Sequence, residues 1–482
     1  MFDFRPILLV IGVLLATLGC AMMVPAIVDL AAANDDWRIF AASSLLTMMV
    51  GGSLWAGSRG APAELTLRQA FVMTASVWVA LSAFGALPLL WSGIVPSYTD
   101  AFFEAMSGLT TTGATVIVGL DYAPPGVLFW RAILQWLGGL GIIVMAISVL
   151  PMLRVGGMQL FKAEAFDAPE KILPRATQIS GIMTLIFIAL TTLCAALYYI
   201  AGMQLTDAIM HAMTTVATGG FSSKDASIGH FDSAFIDWIA IVFMCGGSLP
   251  FMLYIKTLQG EPGSLFRDSQ VRMFFILLAG FILTIWLYEH ATGVHDGLDG
   301  LRYAAFNVVS IMTGTGYANA DYNAWGPFSA GLFFVVMFIG GCAGSTSCGI
   351  KVFRIQVVFA NLAQHLNRTI YPNGVFVPRF NGRQLGDNVI AAVQSFVFLY
   401  IFCFAALAIA LNMTGLDDLT AISGAATAIS NVGPGLGEII GPAGNFQPLN
   451  DTAKWLLSFG MLLGRLELFT VLVLFIPQFW RM

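Results

Sequence analysis

Four short strips of small and polar residues recur along this 482-residue chain, and each can offer backbone oxygens to a cation. They read TTTGAT (110–115), ATGGFS (217–222), TGTGYA (313–318) and SNVGPG (430–435). Counting back from one glycine in each gives four windows in register: Met106–Gly113, Met213–Gly220, Val309–Gly316 and Ala426–Gly433. No strip contains an Asp, Glu, Lys or Arg, so coordination by carbonyls and hydroxyls is the chemistry on offer. Glycine frees φ, which lets successive carbonyls turn to one side. Carbonyl oxygens can replace the hydration shell of a potassium ion. The candidate ion-binding residues are Thr111, Thr112, Gly113, Thr218, Gly219, Gly220, Thr315, Gly316, Asn431, Val432 and Gly433. Hydroxyls of Thr111, Thr112, Thr218, Thr315 and Ser430 either add oxygens or pack the strips from behind.

A second stretch, GGCAGSTSCG at 340–349, interrupts a run that is otherwise apolar from 328 to 358. Its glycines each cost roughly 1 kcal/mol against alanine in a helix, so a loop is expected near or below mid-membrane. Gly340, Gly341, Gly344, Ser345, Thr346 and Gly349 are the candidate gate residues; the competing reading is a small-residue seam between helices. Arg465 lies in another apolar run. A charge at membrane depth costs about 2.5–3.5 kcal/mol on insertion scales and faces a cavity or a partner. Glu467, two positions on, points to a different helix face. Aligning the glycines at 138–139 with Leu463-Gly464 sets Arg465 opposite Leu140, in a cavity under the strips. There it can anchor the loop through backbone carbonyls; the competing reading is an ion pair with an acid.

The elements that must position these residues are membrane helices. The chain is 58% hydrophobic and 10% charged, with a mean hydropathy of +0.82, whereas soluble domains carry about 25% charged residues. The run 6–28 is too long for a signal-peptide core of about 7–15 residues and suits a span of about 20. With 39–57 it forms an accessory hairpin (1–60). Four pore units follow at 61–155, 156–260, 261–360 and 361–482. Each is a span, a short amphipathic run, a strip and a second span: 69–92, 99–109 and 127–150; 180–201, 206–216 and 234–256; 270–291, 300–312 and 327–355; 390–411, 417–429 and 452–477. An 11-residue helix at 99–109 would be about 16 Å long, half of a hydrocarbon core of about 30 Å. A half-span that returns through an extended strip is a re-entrant loop, tolerated where it is buried or lines water. The expected fold is an all-α polytopic membrane protein with ten transmembrane helices and four re-entrant pore loops in a pseudo-fourfold, potassium-channel-like arrangement. Asp100, Asp207, Asp299, Asp417 and Asp418, near the starts of the half-helices, are expected mainly to cap them, and secondarily to make the outer mouth negative.

With both termini cytoplasmic, 16 of the 22 basic residues fall inside, as the positive-inside rule requires. Arg38, Arg131, Lys224, Arg302 and Lys454 fall outside. The six cysteines form no CxxC pair and the five histidines (211, 230, 290, 295, 365) are scattered over helix ends and loops. No HExxH or GxSxG occurs, so no enzyme is expected, and nothing points to nucleic acid. The rival function is a secondary transporter of a small organic solute, with a broken-helix site at the midplane.

The four strips, GGCAGSTSCGIK (340–351) and GRLELF (464–469) together resemble a bacterial Trk-type potassium transporter membrane subunit, of the Trk/Ktr/HKT superfamily. The extra hairpin resembles the Trk rather than the shorter Ktr type. The resemblance covers the whole chain. It implies potassium uptake across the bacterial inner membrane; one glycine per wall offers few ordered ion sites, so K+ and Rb+ should pass well, with weaker exclusion of Na+. The K+ ligands it implies come from Thr112, Gly113, Gly219, Gly220, Thr315, Gly316, Val432 and Gly433, and 340–349 would be a mobile gate loop. Gly113, where sodium-selective plant relatives often have serine, favours potassium; Pro434 makes the fourth strip unlike the rest. The resemblance also implies a homodimer and a cytosolic TrkA-type nucleotide-binding regulatory subunit; the basic inner stretches Arg154–Arg175, Lys256–Arg272 and Lys351–Arg383 are either its dock or ordinary positive-inside charge. This chain has no GxGxxG or P-loop, so nucleotide would bind the partner. A channel, an H+ symporter and a Na+ symporter look alike in such a sequence.

Overall fold

The computed structural model describes residues 2–62, 65–148 and 176–481; the basic stretch from Arg154 to Arg175 lies outside them. Helices α1 (Arg5–Ala31) and α2 (Trp37–Gly57) form a hairpin in close backbone contact. A methyl group on Gly12 would lie 2.7 Å from the Gly51 carbonyl oxygen, and one on Gly51 would lie 2.7 Å from that of Gly12. Small residues allow this approach between membrane helices, which have no hydrophobic drive toward one another. Asp29, buried at the end of α1, accepts the N–H of Gly126 at 2.7 Å. Its carboxylate thereby caps the positive end of α5 (Pro125–Ser148) and ties the hairpin to the first unit. Between them runs α3 (Leu67–Gly85), opened by a Thr66–Gln69 capping box.

Four half-length helices each run directly into a strip: α4 (Tyr98–Leu109), α7 (Leu205–Val216), α11 (Gly297–Thr313) and α15 (Asp418–Ser430). Of the acids at their starts, Asp417 is an N-cap, accepting the Thr420 N–H. The others lie in the first turns of their half-helices, where Asp100, Asp207 and Asp299 also pair with Lys454, Lys224 and Arg302. Asp418 instead accepts from Asn412. Paired acids also lend the outer mouth little negative charge.

Among the described residues, seven helices are long and apolar enough to cross a membrane. They are α1, α2, α3 with its continuation to Trp91, α5, α6 (Ala176–Ile200), α10 (Ser269–Thr292) and α14 (Asp387–Asn412). Three of the ten expected spans are broken. The run 234–256 bends by 91° between α8 (Ala234–Gly247) and α9 (Phe251–Leu258). Pro250 has no N–H to continue the helix, and loop residues take up the freed carbonyls: the Thr346 N–H reaches Gly247 and the Cys342 N–H reaches Ser248. The run 327–355 divides into α12 (Pro327–Met337), the loop at 338–351, and an amphipathic α13 (Val352–Ile370). The run 452–477 bends by 111° between α16 (Asp451–Arg465) and α17 (Phe469–Leu472). Glu467 and Leu468 sit there at φ +63° and +53°, a conformation side chains seldom adopt. The all-α expectation is broken by one two-residue hairpin, Arg379–Phe380 against Arg383–Gln384.

The interior divides in two. One apolar cluster joins the hairpin and first unit to the fourth; the other joins the second unit to the third. The strips lie where these clusters meet.

Candidate ion-coordination site

The strips share one backbone conformation despite their different sequences. The aligned glycines have φ of +87° (Gly113), +77° (Gly220), +81° (Gly316) and +100° (Gly433). Two residues earlier, Thr111, Thr218, Gly314 and Asn431 are also left-handed, at +52°, +50°, +78° and +54°. Each wall therefore makes the same double reversal, and three of the four accept the cost of a side chain at its first step.

The four walls close on one another in a ring. Gly113 faces the carbonyl oxygen of Gly219, Gly220 that of Thr315, Gly316 that of Val432, and Gly433 that of Thr112. In every case a methyl group on the glycine would come closer than 3.0 Å to that oxygen. Glycine is thus required twice over, by φ and by the neighbouring wall. All four glycines border a single open cavity, which Arg131, Lys224 and Asp225 also line. Thr112, Gly219, Thr315 and Val432 thereby stand at one level, each beside the next wall's glycine.

Side chains lace the walls from behind, most of them across unit boundaries. Asn431 donates to the Thr112 hydroxyl at 2.9 Å and to the Met461 carbonyl. Gln135 donates to the Gly219 carbonyl at 2.5 Å and accepts the Phe221 N–H at 2.9 Å. The Tyr317 hydroxyl meets that of Thr214 at 2.5 Å, and Thr218 donates to Thr346 at 3.0 Å. Thr111 has a buried hydroxyl without a partner, so packing from behind does not account for it. Above the ring, Glu104 accepts from Arg131 at 2.7 Å and from the Val116 N–H, while Arg131 donates to the Ser222 carbonyl.

The loop at 338–351 lies immediately beneath. Gly340 and Ile350 pair across its neck, and the Thr346 hydroxyl reaches the carbonyls of Gly247 and Val216. Gly341 N–H bonds to Ser347, Ser345 to the Cys342 carbonyl, and the Phe251 N–H to the Gly344 carbonyl; Gly349 turns the chain at φ +73°. Arg465 is buried and donates to the Thr346 carbonyl, the Cys348 sulfur and the Gly138 carbonyl. It bonds the loop and the first unit at once. Glu467 pairs instead with Arg354 and Lys351, which flank the start of α13. The alignment that set Arg465 opposite Leu140 is one residue out. Gly138, Gly247 and Gly464 share an environment, each against the carbonyl four residues before its own unit's strip glycine (Leu109, Val216, Ile429), so Arg465 stands opposite Gly139.

Several buried charges do not sit where the side-counting rule put them. Arg131, Arg302 and Lys454, counted as outer, and Lys351 and Arg354, counted as inner, are enclosed in the protein or nearly so, each facing an acid. His211 is no loop residue: it is buried within α7 and bonds to Ser222. Sequence reasoning missed Glu104, Arg131 and Gln135 as parts of the site. The signal was present, because Arg131 and Gln135 are polar residues one helical turn apart in an apolar run.

Comparison with known proteins matches residues 38–482 to the family model TrkH, described as a cation transport protein. The chain is 45% identical over 481 residues to the Trk system potassium uptake protein TrkI of Halomonas elongata, covering 99% of this chain and 97% of that one. It is 39% identical over 487 residues to the Trk system potassium uptake protein TrkH of Escherichia coli K12, covering 99% of each. The solved structure of the potassium transporter TrkH from Vibrio parahaemolyticus is similar over the full length of both chains, with a TM-score of 0.92 and 37% identity.

Proposed function

This chain belongs to the TrkH family of cation transport proteins, and from that premise we propose how it takes up potassium. K+ passes through the ring of four walls, coordinated by backbone carbonyls at Thr112, Gly113, Gly219, Gly220, Thr315, Gly316, Val432 and Gly433. The observation that carries this is the ring itself, in which each left-handed glycine abuts the carbonyl of the next wall. Such carbonyls can stand in for hydration water, and the half-helices end beside them with their negative poles. The organic-solute alternative is not favoured.

In this reading the broken runs complete ten membrane crossings, and the half-helices with their strips form four re-entrant loops. Gly340, Gly341, Gly344, Ser345, Thr346 and Gly349 form a gate under the ring, held shut by Arg465. The protein sits in the bacterial inner membrane with both termini cytoplasmic. A homodimer and a TrkA-type regulatory subunit follow from the resemblance alone, with Arg267, Arg272, Arg379 and Arg383 offering a basic inner face.

The test is uptake of K+, Rb+ and Na+ by cells stripped of their own K+ uptake systems. The parent should restore growth at low K+, and Gly113→Ser should raise Na+ entry relative to K+. Unchanged ion preference in Ser variants at all four glycines would refute the assignment of the ring.

A further inference from the structure

The ring is fourfold in backbone, yet among the described residues only one of the four carbonyls that abut the next wall's glycine (Thr112, Gly219, Thr315, Val432) accepts a side-chain amide, while the Gly433 carbonyl accepts the Thr427 hydroxyl at 2.8 Å. The amide of Gln135, fully buried in α5, donates from Nε2 to the Gly219 carbonyl oxygen at 2.5 Å. Its Oε1 accepts the Phe221 N–H at 2.9 Å. The orientation of this amide is fixed chemically: the Phe221 N–H can only donate and the Gly219 carbonyl can only accept. One side chain of the first unit thus grips the second unit's strip on both sides of Gly220.

No corresponding amide serves the other walls. Taking the structural register of Gly138, Gly247 and Gly464, the residue three before is Gln135 in unit one, Met244 in unit two and Met461 in unit four. In unit three, where the chain turns into the loop at Gly340, the residue three before is Met337. All four side chains are buried. Methionine is close to glutamine in length and volume but has no N–H to donate.

We propose that Gln135 is a positioning residue that sets ion selectivity by withdrawing part of one wall's coordinating power. This rests on the reading of the ring as the K+ path. A carbonyl that already accepts an amide proton has one lone pair fewer for a cation and is held back from the axis. The wall at Gly219 therefore presents a weaker and wider ligand than the walls at Thr112, Thr315 and Val432. Narrowing or strengthening that wall favours the smaller ion. Gln135 thus holds the ring at a size that suits K+ over Na+, and Arg131, one turn above on the same helix face, fixes the outer end of that strip through Ser222.

The test is Gln135→Met in the full-length protein, which gives unit one the residue that units two and four carry in that register. Half-saturating K+ concentration, maximal rate and the K+ to Na+ uptake ratio are measured at matched membrane abundance. The ratio should fall roughly threefold to tenfold, the effect expected of one hydrogen bond, and the half-saturating concentration should fall with it. The maximal rate should change less than either. A general packing defect would lower abundance or rate and leave the ratio alone. Gln135→Leu is the second variant: it is apolar and of similar size, loses the donor to Gly219, and should shift the ratio in the same direction. Parental ratios in whichever of these variants reaches the membrane would overturn the proposal. Parental Na+ entry equal to K+ entry would refute the reading of the ring and not the role of Gln135 alone.

Discussion

The ring and the layer directly below it are built on opposite plans. In the ring, four different sequences adopt one conformation: two left-handed residues per wall, no charge, and each glycine against the next carbonyl. Below it, no two units agree. Helix α5 runs on unbroken, α8 bends at Gly247, the third unit becomes a loop, and α16 breaks at Glu467. Buried charges gather in that lower layer, with Lys351 and Arg354 on Glu467 and Arg465 on backbone carbonyls. Coordination of a bare cation asks for equivalent ligands on all sides. Control of its passage asks for one element that differs from the rest.

The largest expected effect comes from breaking the equivalence of the ring. A methyl group on Gly220, Gly316 or Gly113 would press into the neighbouring carbonyl, and at each site φ is positive. Gly220→Ala and Gly316→Ala should cut K+ uptake at least a hundredfold, on the order of 3 kcal/mol of barrier, with protein still present in the membrane. Gly433 leaves 2.9 Å to the Thr112 oxygen, the most room of the four, so Gly433→Ala should lose least. Uptake assays on the four alanine variants test the ranking. Equal losses, or none, would mean that the contacts between walls do not set the ring.

The ring's symmetry also depends on an asymmetric frame. The seam between units four and one holds a buried ion pair, Lys454 to Asp100 at 2.6 Å. Beside the outer mouth, units three and four are joined instead by two long neutral bonds, Asn323 Nδ2 to the Gly437 carbonyl at 3.3 Å and Gly437 N–H to Asn323 Oδ1 at 3.4 Å, and the ion pairs of that seam, Lys351 and Arg354 on Glu467, lie below the ring. Removing one partner of a buried pair costs about 3–5 kcal/mol, whereas replacing both is often neutral. Asp100 keeps a second partner in Ser97, so Lys454→Met should cost near the lower end, about 3 kcal/mol. It should lower the thermal midpoint in detergent clearly, and Asp100→Asn combined with Lys454→Met should recover most of the loss. A double variant no better than the single would show that the pair carries no coupling.

How much of this was readable from sequence follows the same division. The ring was legible because glycine at a fixed position in four strips signals a backbone demand, and a backbone demand leaves a mark in residue type. The half-helices were legible from their length. The broken runs at 234–256 and 452–477 were not. Their apolar composition is that of a straight span, and the bends are stabilised by contacts with a loop a hundred residues away in sequence, as between Gly247 and Thr346. Gln135 was missed because polar residues one turn apart, Arg131 and Gln135, mark a buried polar face without showing what that face meets. Only the register fixed by Gly138, Gly247 and Gly464 reveals it as the exception beside Met244 and Met461. The pairing of Asp100 with Lys454 spans most of the chain and could not be read from either residue alone.

Arg465 gives the smallest and most informative test of the lower layer. Its guanidinium joins three acceptors that belong to two different units: Thr346 and Cys348 in the loop, and Gly138 in α5. It also places an unneutralised charge near the path, since Glu467 is occupied by Arg354 and Lys351. If the ring is the K+ path, as proposed, both features would hinder K+, one by holding the loop and the other by repulsion. Arg465→Ala should therefore raise K+ flux, and the rise should be moderate. Other bonds still hold the loop, among them Thr346 N–H to Gly247, Cys342 N–H to Ser248 and Ala343 N–H to Gln270. Hydrogen bonds to a charged group contribute about 1.5–3 kcal/mol each, but burying the guanidinium costs several in return. The net expectation is a rise of roughly threefold to tenfold, about 1 kcal/mol. Arg465→Lys separates the two causes, because a single ammonium keeps the charge but cannot span three acceptors as the planar guanidinium does. If repulsion dominates, the lysine variant stays near the parent; if anchoring dominates, it rises with alanine. A well-expressed Arg465→Ala protein with parental K+ kinetics would remove Arg465 from the control of the pore, and with it the contrast between a symmetric ring and an asymmetric gate.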